Sequence, residues 1–347
     1  MTIPRLRPAV AALALLAAVL VPAPPAVAAP ASYVALGDSY SSGTGTRTYL
    51  ADGTSCQRSV HAYPVLIASA RGYALDFRAC SGATIPDVAA GQLGALTPAT
   101  SYVSVSVGGN DAAFAAVLTE CAKPAWMSNC TAAIDRAQAI ITGQLPGRLG
   151  SLYGQIRARA PQASVTVAGY PRVFNGEDCN AATWFSPTEE ARLNATADLL
   201  NRTTAAAAAA AGFTFRDPSA AFTGHAVCDD VEWLNGVASP ISDSYHPNRA
   251  GHALGYVPVM GPALTGAPVA VTTATVQAAE LSGPALARDQ RAHAAQDARI
   301  TPKQFALPDL KSPAARAAAA RAGVDLADPA SIARADRAAE ALQDGRR

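Results

Sequence analysis

Short apolar runs alternate along this chain with longer stretches of helical periodicity. Residues 33–36, 102–107, 165–168 and 213–215 each read as a strand, and residues 74–77 as a weaker one. Helix-like stretches over 134–145, 148–160 and 188–211 lie between them. Strands separated by helices predict an α/β fold, with a parallel sheet covered by helices on both faces. In such sheets the loops at the carboxyl ends of the strands carry the chemistry. Local signals agree with the pattern at the helix after Ser186: Ser186 caps it, Pro187 suits its first turn, and Glu189 completes a capping box. Gly212 marks its end.

The strand ends hold the candidate chemistry. The run 33–36 leads into Gly37-Asp38-Ser39-Tyr40-Ser41-Ser42-Gly43, which predicts a sharp turn opening a helix. A serine there exposes its hydroxyl, and its backbone N–H points where an oxyanion would develop, which suits a nucleophile. After the weak strand comes Cys80-Ser81-Gly82-Ala83-Thr84, where Gly82 allows close backbone approach and offers an N–H donor. The alternating run 103–107 ends in Gly108-Gly109-Asn110-Asp111. The Asn110 amide is a neutral donor for a developing oxyanion, and Asp111 suits a helix cap.

Near residue 264 lies Asp243-Ser244-Tyr245-His246-Pro247-Asn248. His246 is one of five histidines. Pro247 stiffens its loop, and Asp243 stands where it can accept from the second ring nitrogen. A serine nucleophile requires such an oriented base. The elbow G-x-S-x-G of α/β-hydrolases is absent, because Ser41 occupies the second glycine position. The same chemistry is therefore expected on another scaffold.

Composition narrows the setting. Arg5 and Arg7 precede an apolar core over 9–21, and Ala26-Val27-Ala28 fits a cleavage site, so residues 1–28 read as a secretory signal peptide. The apolar run is shorter than the roughly 20 residues of a membrane span, and no later segment resembles one. A secreted, extracellular protein with no stable membrane span is expected. Net charge is +1, from 27 basic and 26 acidic residues, which gives no nucleic-acid footprint. Cys56, Cys80, Cys121, Cys130, Cys179 and Cys228 form an even set in an exported chain and argue for disulfides. Pairing nearest neighbours would join Cys56 to Cys80, Cys121 to Cys130 and Cys179 to Cys228. No metal site is expected, since no C-x-x-C appears and no histidine stands at ligand spacing.

The catalytic domain spans 29–264. Residues 265–347 read as a linker, over 265–277, followed by an Ala/Arg-rich tail with a single aromatic residue, Phe305. Short helices are expected over 313–322 and 329–342, with faces of alanine that bury little area. The tail is accordingly expected to be partly disordered or loosely docked.

Taken together, Gly37-Asp38-Ser39-Tyr40-Ser41, Gly82, Gly108-Gly109-Asn110-Asp111 and Asp243-Ser244-Tyr245-His246-Pro247 resemble the four blocks of SGNH (GDSL-type) hydrolases, of the actinobacterial secreted lipase/esterase kind. The resemblance covers residues 32–264 and implies a three-layer α/β/α, flavodoxin-like fold with a five-stranded parallel sheet. It implies Ser39 as nucleophile, His246 as base, and an oxyanion hole formed by Ser39 N–H, Gly82 N–H and the Asn110 side chain. It also implies three sequential disulfides. In some members the histidine is oriented by a backbone carbonyl two residues before it, here that of Ser244. Asp243 at the usual spacing is favoured. The resemblance says nothing of the tail.

The expected activity is hydrolysis of carboxylic (acyl or lipid) esters through an acyl-enzyme. No cofactor is expected, and the catalytic domain is expected to be monomeric. Half of the residues are hydrophobic, but alanine and the signal segment supply much of that, so composition identifies no lipid site. The shallow cleft implied by the resemblance suggests short and medium acyl chains. A polysaccharide acetylesterase is the alternative within this chemistry. A non-catalytic surface or carbohydrate-binding protein is the alternative outside it.

Overall fold

The computed structural model describes residues 1–3 and 29–344; apart from its first three residues, the expected signal peptide lies outside the described residues. Five strands form one parallel sheet: β1 (Ser32–Gly37), β2 (Ala74–Phe77), β3 (Tyr102–Ser106), β4 (Ser164–Ala168) and β5 (Thr214–Arg216), in spatial order β2-β1-β3-β4-β5. The order reverses at β1, so its carboxyl end opens the crevice where such sheets place ligands. Val34, Ala35 and Leu36 of β1 are all buried, as in a strand covered on both faces.

In β3 the alternating pattern hides a second buried face. Val103 and Val105 are in the core, yet Ser104 and Ser106 are buried too. Each hydroxyl has a partner: Ser104 Oγ lies 2.7 Å from Tyr33 Oη, and Ser106 Oγ donates to Asp38 Oδ1 at 2.6 Å. Buried hydroxyls with partners cost little, and they turn a polar pattern into sheet interior.

Helices Tyr63–Arg71 and Val257–Thr265 pack together on one side of the sheet. Helices Cys130–Gly143, Leu145–Arg159 and Pro187–Ala210 pack together on the other. The last of these starts as its local signals require: Ser186 Oγ accepts from Glu189 N, and the Glu189 carboxylate accepts in return from Ser186 N. Three disulfides join Cys56 to Cys80, Cys121 to Cys130 and Cys179 to Cys228.

The C-terminal region departs from the expectation of a loose tail. Thr272 accepts from Thr275 N and starts a helix, Thr273–Arg291, inside the stretch read as linker. That helix lies on Tyr63–Arg71. Beyond it, Asp297 reaches back to the amino-terminal part of the fold, where Arg58 Nη2 binds Asp297 Oδ2 at 2.9 Å and Arg58 Nη1 binds Asp52 Oδ2 at 3.0 Å. All three side chains are buried. Further along, Asp336 Oδ1 accepts from Ala125 N at 2.6 Å, from within helix Pro329–Asp344. Alanines of this region such as Ala279, Ala315 and Ala319 are buried, and polar anchors hold it, each with a partner more than 200 residues away in sequence.

Removing one member of a buried charge cluster leaves the others uncompensated. Arg58→Ala is therefore expected to lower the unfolding free energy by about 3–5 kcal/mol, read by urea denaturation. A loss within the ~1 kcal/mol of an exposed pair would contradict a structural role for the triad.

Candidate active site

Gly37 ends β1 with φ +122°, and a Cβ there would stand 2.3 Å from Ser106 O. Only glycine allows that backbone and that approach. Gln92 completes the strand end: Gly37 N donates to Gln92 Oε1 at 2.7 Å, and Gln92 Nε2 donates to Gly37 O at 2.9 Å. The chain then turns into a single helical turn, Ser39–Ser42, capped by Asp38, which accepts from Tyr40 N at 3.1 Å.

Asp38 is buried and accepts two further bonds, from Ser106 Oγ at 2.6 Å and from Tyr170 Oη at 2.5 Å. Burial raises its pKa to about 6, while Ser106, Tyr170 and Tyr40 N as donors hold it down. The turn bearing Ser39 is thus tied to the ends of β3 and β4.

His246 Nε2 lies 2.8 Å from Ser39 Oγ, across 207 residues of chain. Its other nitrogen, Nδ1, lies 2.9 Å from Ser244 O. A carbonyl only accepts, so Nδ1 carries the proton and Nε2 is left to accept from Ser39. Burial lowers the imidazole pKa to about 4, opposed by the Ser244 carbonyl and the Asp243 charge. The ring is therefore neutral at pH 7. Tyr40 supports it, with ring centroids 5.4 Å apart, and Tyr40 Oη donates to Tyr245 O at 2.9 Å.

Asp243 does not orient His246 through a hydrogen bond, contrary to the reading favoured from sequence. Its Oδ1 accepts from Tyr49 Oη at 2.6 Å and from Gln57 Nε2 at 3.4 Å. The physical reason is the backbone: Tyr245 sits at φ +59°, a left-handed conformation unusual for a large side chain. With this turn the nearest acceptor to the ring is the Ser244 carbonyl. The buried Asn235 side chain holds the loop, donating to Gly45 O, Asp243 O and His246 O at 2.9, 3.2 and 3.2 Å.

Asn110 lines the same cleft as Ser39 and His246. Its Nδ2 donates to Ala83 O at 3.0 Å, which uses one of two amide hydrogens. Gly82, at φ +84°, belongs to the adjoining turn. A Cβ there would lie 2.7 Å from Thr301 O and 3.0 Å from Lys303 N, so the C-terminal segment is pressed against it.

From Ser39 a cleft partly open to solvent runs between helices Phe114–Cys121, Cys130–Gly143 and Pro187–Ala210. Val117, Leu118, Ile141, Leu193 and Leu200 line it. Its lining is mostly apolar.

A serine at the end of the first strand, paired with a histidine at the domain's far end on this sheet order, matches one family over residues 35–254, the GDSL-like Lipase/Acylhydrolase family. The chain belongs to that family. This GDSL-family chain is 45% identical over 236 residues to Lipase 1 of Streptomyces coelicolor, covering 67% of the chain and 87% of the relative. An extracellular lipase from Streptomyces rimosus superposes with a TM-score of 0.64 at 42% identity, covering 67% of this chain and 99% of that one. Phospholipase A1 from Streptomyces albidoflavus NA297 gives 0.63 at 46% identity, covering 67% and 98%. The GDSL-family protein is an ester hydrolase with the three-layer fold of these enzymes.

Sequence reasoning missed Tyr170, which follows the end of β4, a place where strand-end logic could have directed attention. It noted Phe305 only as the single aromatic residue of the tail and passed over Lys303, both of which line the cleft.

The raised pKa of Asp38 has a checkable sign. Between its unfolded value near 4 and its folded value of about 6, the folded state holds more protons, so its contribution to stability falls as pH rises. Wild type should lose stability relative to Asp38→Asn as pH rises from 4 to 7 in denaturation series. A pH-independent difference would contradict the shift.

Proposed function

We propose that this enzyme is a secreted lipid-ester hydrolase working through an acyl-enzyme, with Ser39 as nucleophile and His246 as general base. The observation that carries the reading is the 2.8 Å contact between Ser39 Oγ and His246 Nε2 at the mouth of an apolar cleft. Ser39 Oγ attacks the ester carbonyl carbon while His246 Nε2 takes its proton. The oxyanion is held by Ser39 N–H, Gly82 N–H and Asn110 Nδ2–H. Collapse expels the alcohol, protonated by His246; His246 then takes a proton from a water that attacks the acyl carbonyl, and collapse of this second intermediate releases the acid and returns the proton to Ser39 Oγ.

The Ser244 carbonyl holds the imidazole tautomer, and Asp243 adds only a through-space charge. The apolar lining of the cleft favours acyl chains longer than acetyl, and so favours lipid esters over acetylated polysaccharides. Secretion is supported by the residue pattern of 1–28 and by the extracellular description of the Streptomyces rimosus relative. The domain boundaries proposed are 29–264 for the catalytic unit and 265–347 for the extension.

Hydrolysis of p-nitrophenyl esters from acetyl to palmitoyl should be lost in Ser39→Ala with the fold retained by circular dichroism; a folded, active variant would refute the mechanism. Asn110→Ala should lower kcat by about 10²–10³. Asp243→Asn should cost far less than the ~10⁴ seen where a carboxylate fixes the tautomer; a loss of that size would return the role to Asp243. Because the base acts when neutral and its pKa is lowered to about 4, the acid limb of kcat/KM should fall well below pH 6. A limb at the ordinary histidine value of about 6.5 would show the imidazole to be unperturbed.

A further inference from the structure

The segment following Asp297 crosses the face of the candidate site. Ile300 is buried, and residues 301–303 run against Gly82. Phe305 then turns inward: it is 3% exposed, and its ring meets Tyr245 edge-on with centroids 4.9 Å apart. Tyr245 precedes His246 directly. Ala306 N donates to Thr119 Oγ1 at 3.0 Å, which fixes the segment to helix Phe114–Cys121, itself a wall of the cleft. The segment is held on both sides of the opening, by Asp297 on Arg58 before it and by Thr119 after it.

Phe305 lines the same cavity as Ser39, His246 and Leu118. The family match ends at residue 254, so this side chain comes from outside the matched region. From these observations, and resting on the reading of Ser39 and His246 given above, we infer that Phe305 is a wall of the acyl-binding cleft and a determinant of chain-length specificity. The catalytic domain supplies the reacting groups and the inner apolar surface. The extension supplies the opposite wall.

The physics is that of a confined apolar pocket. A phenyl ring at its side removes room that methylenes of a longer acyl chain would occupy, and in such pockets each methylene accommodated or excluded changes kcat/KM by about tenfold or more. The ring is rigid because Tyr245 and the anchored backbone fix it on two sides. It therefore discriminates by shape rather than by yielding.

The test compares wild type with Phe305→Ala and Phe305→Trp, reading the ratio of kcat/KM for p-nitrophenyl palmitate to that for p-nitrophenyl acetate. Phe305→Ala should raise the ratio by about tenfold or more, mainly through KM for the long ester, and Phe305→Trp should lower it. A melting curve of each variant checks folding; if the alanine variant is unfolded, Phe305→Leu and Phe305→Trp must still move the ratio in opposite directions. An unchanged ratio in folded variants overturns the inference. So does a uniform rise on every ester, the signature of a plug, and so does a uniform fall, the signature of support alone. Ser39→Ala assayed in parallel separates the two levels: if it is inactive while the ratio stays fixed, only the role of Phe305 falls. If it remains active, the site reading falls and the wall with it.

Discussion

One buried carboxylate ties the candidate site to its scaffold. Asp38 follows the last residue of β1 and takes bonds from Ser106 at the end of β3 and from Tyr170 just beyond β4. Its own N–H donates to Ser106 O at 3.0 Å. Three neighbouring strand ends therefore meet at one side chain, and Ser39 is the next residue. Desolvation works against a charge in that position, which is why the carboxyl is held near pH 6 rather than at its ordinary value. The strong donors around it make the arrangement tolerable, and their directions leave the turn little freedom. Gly37 is the geometric counterpart, since any side chain there would collide with the backbone of β3.

The histidine shows the same logic with the opposite sign. Orientation by a carbonyl gives less stabilisation to an imidazolium than a bonded carboxylate would. Together with burial, this keeps the ring neutral well into the acid range. As the proposed base such an imidazole is weak, but it is in the receptive form at all ordinary pH values. The Asp243 carboxyl lies nearby and is engaged instead by Tyr49 and Gln57.

Much of this was legible from the residue pattern. The strands could be read because each is a short apolar run bounded by turn residues. Ser39, Asn110 and His246 could be read because glycine or proline places each at an abrupt change of direction. What stayed hidden depends on contacts distant in sequence. The choice between Asp243 and the Ser244 carbonyl turns on the left-handed backbone of Tyr245 and on Tyr49, 194 residues from Asp243. The docking of the extension rests on Arg58 and Asp297, 239 residues apart. Local propensity contains no information on either pairing, and the alanine-rich faces pointed toward a loose tail.

The 207-residue separation between Ser39 and His246 also imposes an order of events. Chains emerge from the ribosome amino end first, so the proposed nucleophile is made early and its base only when the domain is nearly complete. The segment that carries Phe305 comes later still. Until the last sheet strand and the histidine loop have docked, Ser39 has no imidazole beside it, and a partly made chain lacks the pairing on which the proposed chemistry depends.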